Sequence, residues 1–443
     1  MPAPTDEFAA GLPRVPSPAP LRALTLHNYR SFARSTRVEF RPLTLVFGRN
    51  SAGKSALLRA LPLLAASFEA NRVLNPLALE SEAARGASFR DLLCRAGSPQ
   101  LWMELGLSFA TPDGDASLAV RVQEDERSRH FVERFTMSST KVRLSGQWRI
   151  GEALHTFDIV GEADDSKVVT QGPLHPFDRR FHELVPIKAP WGDLRRSIFD
   201  ATSTFASRCH WLGSLRAVPP RKRSFPPTFP DHYGATGVEL WDALAWEARE
   251  ERPLATRVGD WYRKHFNVRL TVTPTEPGWE TYRVRLGPVG AAHDVDLCDT
   301  GEGMAQALPV VTAVYRAAEA SSDAPVTLAL EQPELHLHLD AQHALADLLC
   351  EVVQQPSPPT LVIETHSESL LVALQLAVAT GKLSPEAVIV HVVRALADGS
   401  SVIDTVRFDA LARPNGAWPH EMFRQVIDDA RQLAAARRSA RST

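Results

Sequence analysis

Apolar positions along this chain follow two periods, and the change from one to the other divides it. Short strand-like runs come first, at Ala23 to His27, Thr36 to Phe40 and Leu43 to Phe47. Alternating apolar and polar runs then recur at Leu101 to Phe109, Ser117 to Gln123, Lys141 to Ile150 and Ala153 to Val160, which predicts an antiparallel β layer. From about Arg179 to Phe266 the spacing becomes helical, broken by Pro219, Pro220, Pro226 and Pro230. Two further strands are expected at Val268 to Thr273 and Thr281 to Leu286. After them, runs that are apolar almost throughout, Val326 to Leu330, Thr360 to Glu364 and Ala387 to Val393, alternate with helical stretches. Strands that hide both faces read in this way, so this half predicts a parallel sheet between helices. The expected fold is therefore α/β, a mixed sheet with an antiparallel β layer and a mainly helical insertion. Its expected parts are an arm over 1–20, the first part of the core over 21–178, the insertion over 179–266, the second part of the core over 267–410, and a helix with a basic tail over 411–443.

Composition changes this picture little. With 443 residues, 44% hydrophobic and 23% charged, the chain has ample material for a large core. A net charge of -3 gives no global attraction to nucleic acid, so any such contact needs a local basic surface. Cys94, Cys209, Cys298 and Cys350 are far apart without metal-ligand spacing, which fits reduced thiols in a cytoplasmic protein. No basic and apolar leader is visible at the start, and no stretch approaches the roughly eighteen apolar residues a membrane span needs.

The chemistry is concentrated in Gly48-Arg49-Asn50-Ser51-Ala52-Gly53-Lys54-Ser55, a complete GxxxxGKS phosphate-binding loop (the Walker A pattern) between the strand ending at Phe47 and a helix continuing through Ala56 to Leu61. Gly48 and Gly53 permit tight turns and close backbone approach. Backbone N–H groups and the helix N-terminus attract phosphate oxygens, Lys54 supplies a point charge to the β and γ groups, and Ser55 supplies a hydroxyl for Mg2+. The expected ligand is ATP with magnesium.

Val326 to Leu330 runs into Glu331-Gln332-Pro333-Glu334, which places a carboxylate at a strand's C-terminal edge. Glu331 is thus expected to reach the metal held by Ser55. The next strand ends at Glu364-Thr365-His366-Ser367, and His366 is expected to donate to a γ-phosphate oxygen, with capping of the following helix as the simpler alternative.

With these motifs in order, the chain resembles the AAA/ABC-type ATPases of the OLD and RecF-like branch. The resemblance rests on Asn28-Tyr29-Arg30-Ser31-Phe32, the phosphate loop, Asp299 to Pro309, Glu331 to His338 and Glu364 to Ser367. Leu212 to Arg216, Pro219, Arg221, Trp418, Pro419 and Phe423 add to it, and it covers nearly the whole chain from Leu21 to about Arg424. It implies a P-loop NTPase of ABC-ATPase head type and a homodimer or higher oligomer, in which each nucleotide is held by one subunit's phosphate loop and capped by the other's signature segment. Gly301, Gly303 and Gln306 stand where that segment belongs. Leu144-Ser145-Gly146-Gln147 imitates a signature but lies in an alternating strand and opens no helix. His336 and His338 lack a third ligand at useful spacing and correspond to an interface loop, where Leu339 replaces the family's usual proline.

The pattern also departs from the family. Gln332 occupies the place of the general base, and a carboxamide orients water without accepting its proton at neutral pH. Glu334 is an alternative base, and a slow ATPase is expected. No acidic cluster of a Toprim nuclease is apparent after Val393, and Asp294-Val295-Asp296 reads as a solvated loop. The expectation is an ATPase that acts on DNA or controls a separate effector, a nuclease or toxin, as in bacterial anti-phage defence or DNA repair. A non-catalytic ATP-gated scaffold or clamp is the alternative. Arg216, Arg221, Lys222 and Arg223 are candidate DNA contacts, with a charged surface loop as the competing reading. Arg437, Arg438 and Arg441 read as a solvated terminus.

Overall fold

The computed structural model describes residues 20–69, 76–96, 100–111, 114–148, 156–163, 166–173, 192–276, 278, 280–416 and 418. A seven-stranded sheet forms its centre, in the order Cys209–Leu212, Thr327–Glu331, Thr360–Thr365, Leu43–Gly48, Val388–Ala395, Ser401–Phe408 and Pro414–Asn415. The first five strands are parallel and the last two antiparallel. Burial on both faces explains the continuous apolar runs. Leu43, Leu45, Phe47, Leu328, Leu330, Leu361 and Ile363 face one core, while Val46, Ala329 and Val362 face the other. Helices Glu302–Ala320, Leu339–Val353 and Glu368–Ala379 pack into the first core, and Lys54–Phe68 and Gly192–Arg208 into the second. Leu43–Gly48, Thr327–Glu331 and Thr360–Thr365 therefore bury both faces of their period-two pattern.

The second core is shared with an eight-stranded antiparallel sheet, ordered Thr36–Glu39, Leu21–His27, Trp102–Thr111, Gly114–Glu124, His130–Ser138, Val142–Trp148, Thr156–Ala163 and Ser166–Pro173. This is the antiparallel layer the alternating runs predict. His130–Ser138 escapes that reading because its register against Gly114–Glu124 shifts at Glu133: Arg134 pairs with Arg121, but Val132 pairs with Val122. A β-bulge adds one residue and breaks the alternation. Leu144-Ser145-Gly146-Gln147 lies inside the strand Val142–Trp148.

The span expected as a mainly helical insertion holds Gly192–Arg208, Val238–Arg249 and Pro253–Phe266, yet it also sends Cys209–Leu212 into the central sheet beside Thr327–Glu331. Residues 1–19 of the expected arm, and the part of the expected C-terminal helix and basic tail from 419 onward, lie outside the described residues. Asp294 and Asp296 are not a solvated loop. Asp296 belongs to a two-residue strand pairing with Thr281–Pro288 and is ion-paired to Arg221 and Arg285, while Asp294 accepts from Arg269 and Thr271. Their charges are neutralised by Arg269 and Arg285 from neighbouring strands and by Arg221 from the loop before Arg223–Ser224.

His210, in the edge strand, stacks on Tyr233 with ring centroids 4.9 Å apart. Burial, with Arg316 nearby, pushes its imidazole down to about 3 from the ordinary 6.5. The unfolded chain therefore takes up the proton first. The stability that neutral His210 contributes is complete above about 6.5 and is lost as pH falls toward about 3. Urea unfolding at pH 7.5 and pH 5 is expected to show a loss of stability in the wild type that His210→Gln reduces; equal losses in the two proteins would contradict this.

Candidate nucleotide-binding site

The loop after Leu43–Gly48 is shaped by close approaches. A side chain on Gly48 would strike the Val393 carbonyl, and one on Gly53, at φ 102°, would strike the Ser31 and Ser401 hydroxyls. Only glycine tolerates both demands. Ser401 also braces the loop, its hydroxyl donating to the Ala52 carbonyl at 2.7 Å and its N–H to the Ser31 carbonyl at 2.6 Å. The turn from Asn28 to Phe32 thus supports the loop from behind. Gly53 caps the helix Lys54–Phe68, whose N-terminal N–H groups open toward an anion.

Lys54 is 3% exposed, and its amine donates to the Arg49 carbonyl at 2.8 Å. Burial lowers its pKa, against the pull of Glu364 and Glu334. A cleft of about 790 Å³ opens here, with Asn50, Ser51, Lys54 and Ser55 on one side and Gln332, Glu364 and His366 on the other. Two remote stretches meet at this rim because Thr360–Thr365 lies between the other two strands, pairing Glu364 with Glu331 on one side and with Val46 on the other.

The three carboxylates have different surroundings. Glu331, 2% exposed, receives Nε and Nη2 of Arg59 on its two oxygens, each at 2.6 Å, and Trp211 Nε1 at 3.0 Å. It does not line the cleft. Glu364 does, and its Oε1 accepts from the Ser55 hydroxyl at 2.8 Å. Its Oε2 is buried without a hydrogen-bond partner, and burial with Glu331 beside it raises its pKa. Glu334 Oε1 accepts from the Thr365 hydroxyl at 2.7 Å and the His366 N–H at 3.2 Å. Its burial raises its pKa, and it lies behind His366 rather than on the cleft wall.

Gln332 stands at φ 43°, a left-handed conformation unusual for a side chain of its size. Its N–H donates to the Glu364 carbonyl at 2.8 Å, and its carbonyl accepts from Arg216 at 2.8 Å. Arg216 also reaches the Glu331 carbonyl at 3.0 Å and is 8% exposed. It supports the site from within and does not belong to a solvent-facing basic loop. Arg221 and Arg223 are likewise engaged, by Asp296 and Asp299 and by Asp242 respectively. His366 lines the cleft, and burial and Lys54 lower its pKa against the opposing influence of the Gly48 backbone. A neutral imidazole therefore faces the loop. Ser367, not His366, caps the following helix, accepting from the Leu370 N–H.

Gly301 caps the helix Glu302–Ala320, so this segment does open a helix. Gly303 packs on the His336 carbonyl, leaving room for no side chain, and Glu302 lies 3.5 Å from His336. Gly301, Gly303 and Gln306 do not line the phosphate-loop cleft. Among the described residues no group of three His, Cys, Asp or Glu side chains gathers as a metal centre, and no helix is long and apolar enough to cross a membrane. Arg59, Trp211 and the part played by Glu364 are what sequence reasoning missed. The one available signal was helical spacing, which puts Arg59 four residues from Ser55 on the same face.

The model of the AAA ATPase domain matches residues 20–130 and 263–371. No curated protein matches the chain. Similar solved structures include an SMC head bound to the C-winged helix domain of ScpA, 11% identical, covering 88% of this chain and 98% of that one at a TM-score of 0.49. The SMC head domain from Thermotoga maritima is 13% identical, with coverage of 87% and 98% and a TM-score of 0.42. An Smc head domain with an extended coiled coil, bound to the C-terminal domain of ScpA derived from Pyrococcus furiosus, is 11% identical, with coverage of 93% and 100% and a TM-score of 0.47.

Proposed function

We propose that this AAA-type ATPase domain, split in sequence by residues 131–262, binds ATP with magnesium in the cleft at Gly48 to Ser55 and hydrolyses it slowly. The observation that carries the reading is the convergence of Lys54, Ser55, Gln332, Glu364 and His366 on one cleft from three adjacent strand ends. The residues fit a hydrated divalent ion: the Ser55 hydroxyl and Glu364 Oε1, 2.8 Å apart on residues that line the cleft, are oxygen donors, and Glu364 Oε2 is buried without a hydrogen-bond partner. Magnesium, when bound, supplies charge neutralisation between the β and γ phosphates. Ser55 holds it together with one of the two paired acidic side chains, Glu331 or Glu364.

In this reading Lys54 exchanges the Arg49 carbonyl for phosphate oxygens, and neutral His366 donates to the γ-phosphate. Gln332 orients the attacking water, and because it accepts no proton, turnover is slow. Glu334 does not line the cleft, and its Oε1 is held by the Thr365 hydroxyl and the His366 N–H, so its first role is to fix the His366 turn. Gly301 to Gln306 opens a helix away from the cleft of its own chain, which is the arrangement needed for two copies to close around ATP with each segment capping the other's nucleotide. Such a closure would control a separate effector, a nuclease or toxin, in defence against phage or in DNA repair. Control of an effector is favoured over direct DNA contact at Arg216, Arg221, Lys222 and Arg223, since the three arginines already have partners within the chain and exposed Lys222 is the one cation of the four that remains.

The left-handed Gln332 at the base position is also what favours the second reading, an ATP-gated scaffold without turnover. Steady-state hydrolysis and oligomer mass, with and without DNA, separate the two. Gln332→Glu is expected to raise turnover by about a hundredfold or more, the scale of a positioned general base. Wild-type turnover equal to that of a Lys54→Ala control would leave only the gated scaffold.

A further inference from the structure

We propose that Glu364 is the carboxylate that holds magnesium together with Ser55, and that Glu331, at the usual position for this task, is a positioning residue locked to Arg59 and Trp211. This rests on the ATP reading above and deepens it.

Three independent observations lead to Glu364. The first is distance across the sheet. Thr360–Thr365 pairs directly with the phosphate-loop strand, whereas Thr327–Glu331 lies one strand further out. At about 4.8 Å per strand, Glu364 is one spacing from that strand and Glu331 about twice as far. The second is hydrogen bonding. The Ser55 hydroxyl already points to Glu364 Oε1 at 2.8 Å, and Glu364 Oε2 is buried with no hydrogen-bond partner. A buried acceptor of this kind lacks compensation until a cation or an ordered water reaches it. The third is that Glu331 is already committed. Both of its oxygens carry 2.6 Å bonds from one guanidinium, a bidentate geometry among the strongest that side chains form, and Trp211 adds a third donor. To reach a metal, Glu331 would have to abandon Arg59 in a half-buried position.

The arrangement also gives Glu331 a purpose. By pairing with Arg59 on the helix that follows the phosphate loop, and with Trp211 on the edge strand, it ties that helix to two strands of the central sheet. That tie fixes how Ser55 faces Glu364.

The test uses the full chain and a fluorescent, non-hydrolysable ATP analogue, titrated in EDTA and in magnesium, with Mn2+ and the analogue followed by electron paramagnetic resonance. Binding in EDTA reports on the nucleotide site itself; the extra affinity gained with magnesium reports on the metal ligand. Glu364→Gln is expected to bind the analogue in EDTA, to lose at least about tenfold of the magnesium-dependent gain, and to lower the fraction of protein-bound Mn2+, read as a stronger signal from the free ion. Glu364→Asp should recover part of both. Glu331→Gln should lose less of the gain than Glu364→Gln while melting at a lower temperature. Full retention of the gain by Glu364→Gln, or a larger loss in Glu331→Gln, would overturn the assignment. If Glu364→Gln does not fold, Glu364→Asp decides: a reduced gain supports the assignment and a wild-type gain overturns it. Absence of wild-type binding in both conditions would instead defeat the ATP reading on which the assignment rests.

Discussion

Lys54→Ala is expected to weaken ATP binding by at least about a hundredfold, roughly 2.7 kcal/mol. The amine is 3% exposed, fixed at 2.8 Å from the Arg49 carbonyl, and held at the N-terminus of a helix that itself favours anions. Little reorganisation is therefore needed to deliver its charge to a phosphate, and a charge-assisted hydrogen bond in a shielded cleft is worth about 1.5 to 3 kcal/mol. Calorimetric titration of both proteins checks this, with far-ultraviolet circular dichroism as the control for folding. An affinity reduced less than about threefold would mean that the loop does not grip the triphosphate.

Glu331→Ala carries the second large effect, on stability. Removing one partner of a buried ion pair strands the other, at a cost of about 3 to 5 kcal/mol. Arg59 retains 20% of its side-chain exposure, so water relieves part of that cost and the expected loss is about 2 to 3 kcal/mol. Trp211 Nε1 loses its acceptor at the same time. Urea unfolding should show the loss, and Arg59→Met combined with Glu331→Ala should recover part of it by removing the stranded charge. A change below about 0.5 kcal/mol, the range of ordinary surface substitutions, would show that the pair does not tie the helix to the sheet.

What the sequence made legible follows from which interactions are local. The phosphate loop is contiguous, and Leu43–Gly48, Thr327–Glu331 and Thr360–Thr365 announce themselves because a strand buried on both faces is apolar throughout. The convergence of the loop with the strand ends at Glu331 and Glu364 could therefore be anticipated. The division of labour between those two carboxylates could not. Arg59 and Glu331 are 272 positions apart, Ser55 and Glu364 309 apart, and no spacing rule reaches across such distances. The strand Cys209–Leu212 is only four residues long and carries His210 and Trp211, so it gives no period to read, yet it supplies the indole that holds Glu331. Arg216 reads as one of several basic residues in a Pro-rich loop. Burial makes it instead the donor that fixes the carbonyls of Glu331 and Gln332.

The Arg216 bonds and the left-handed Gln332 place the unusual residue of this site on a rigid turn. On the proposed reading, slow turnover follows from the chemistry of a carboxamide rather than from poor positioning. The most direct measurement of the whole account is a crystal structure of the full chain with magnesium and a non-hydrolysable ATP analogue. The account predicts the triphosphate in the loop Gly48 to Ser55, with its γ group within hydrogen-bond reach of both the Lys54 amine and the His366 ring. A saturating analogue seated outside this cleft, or phosphates turned away from Lys54, would contradict it.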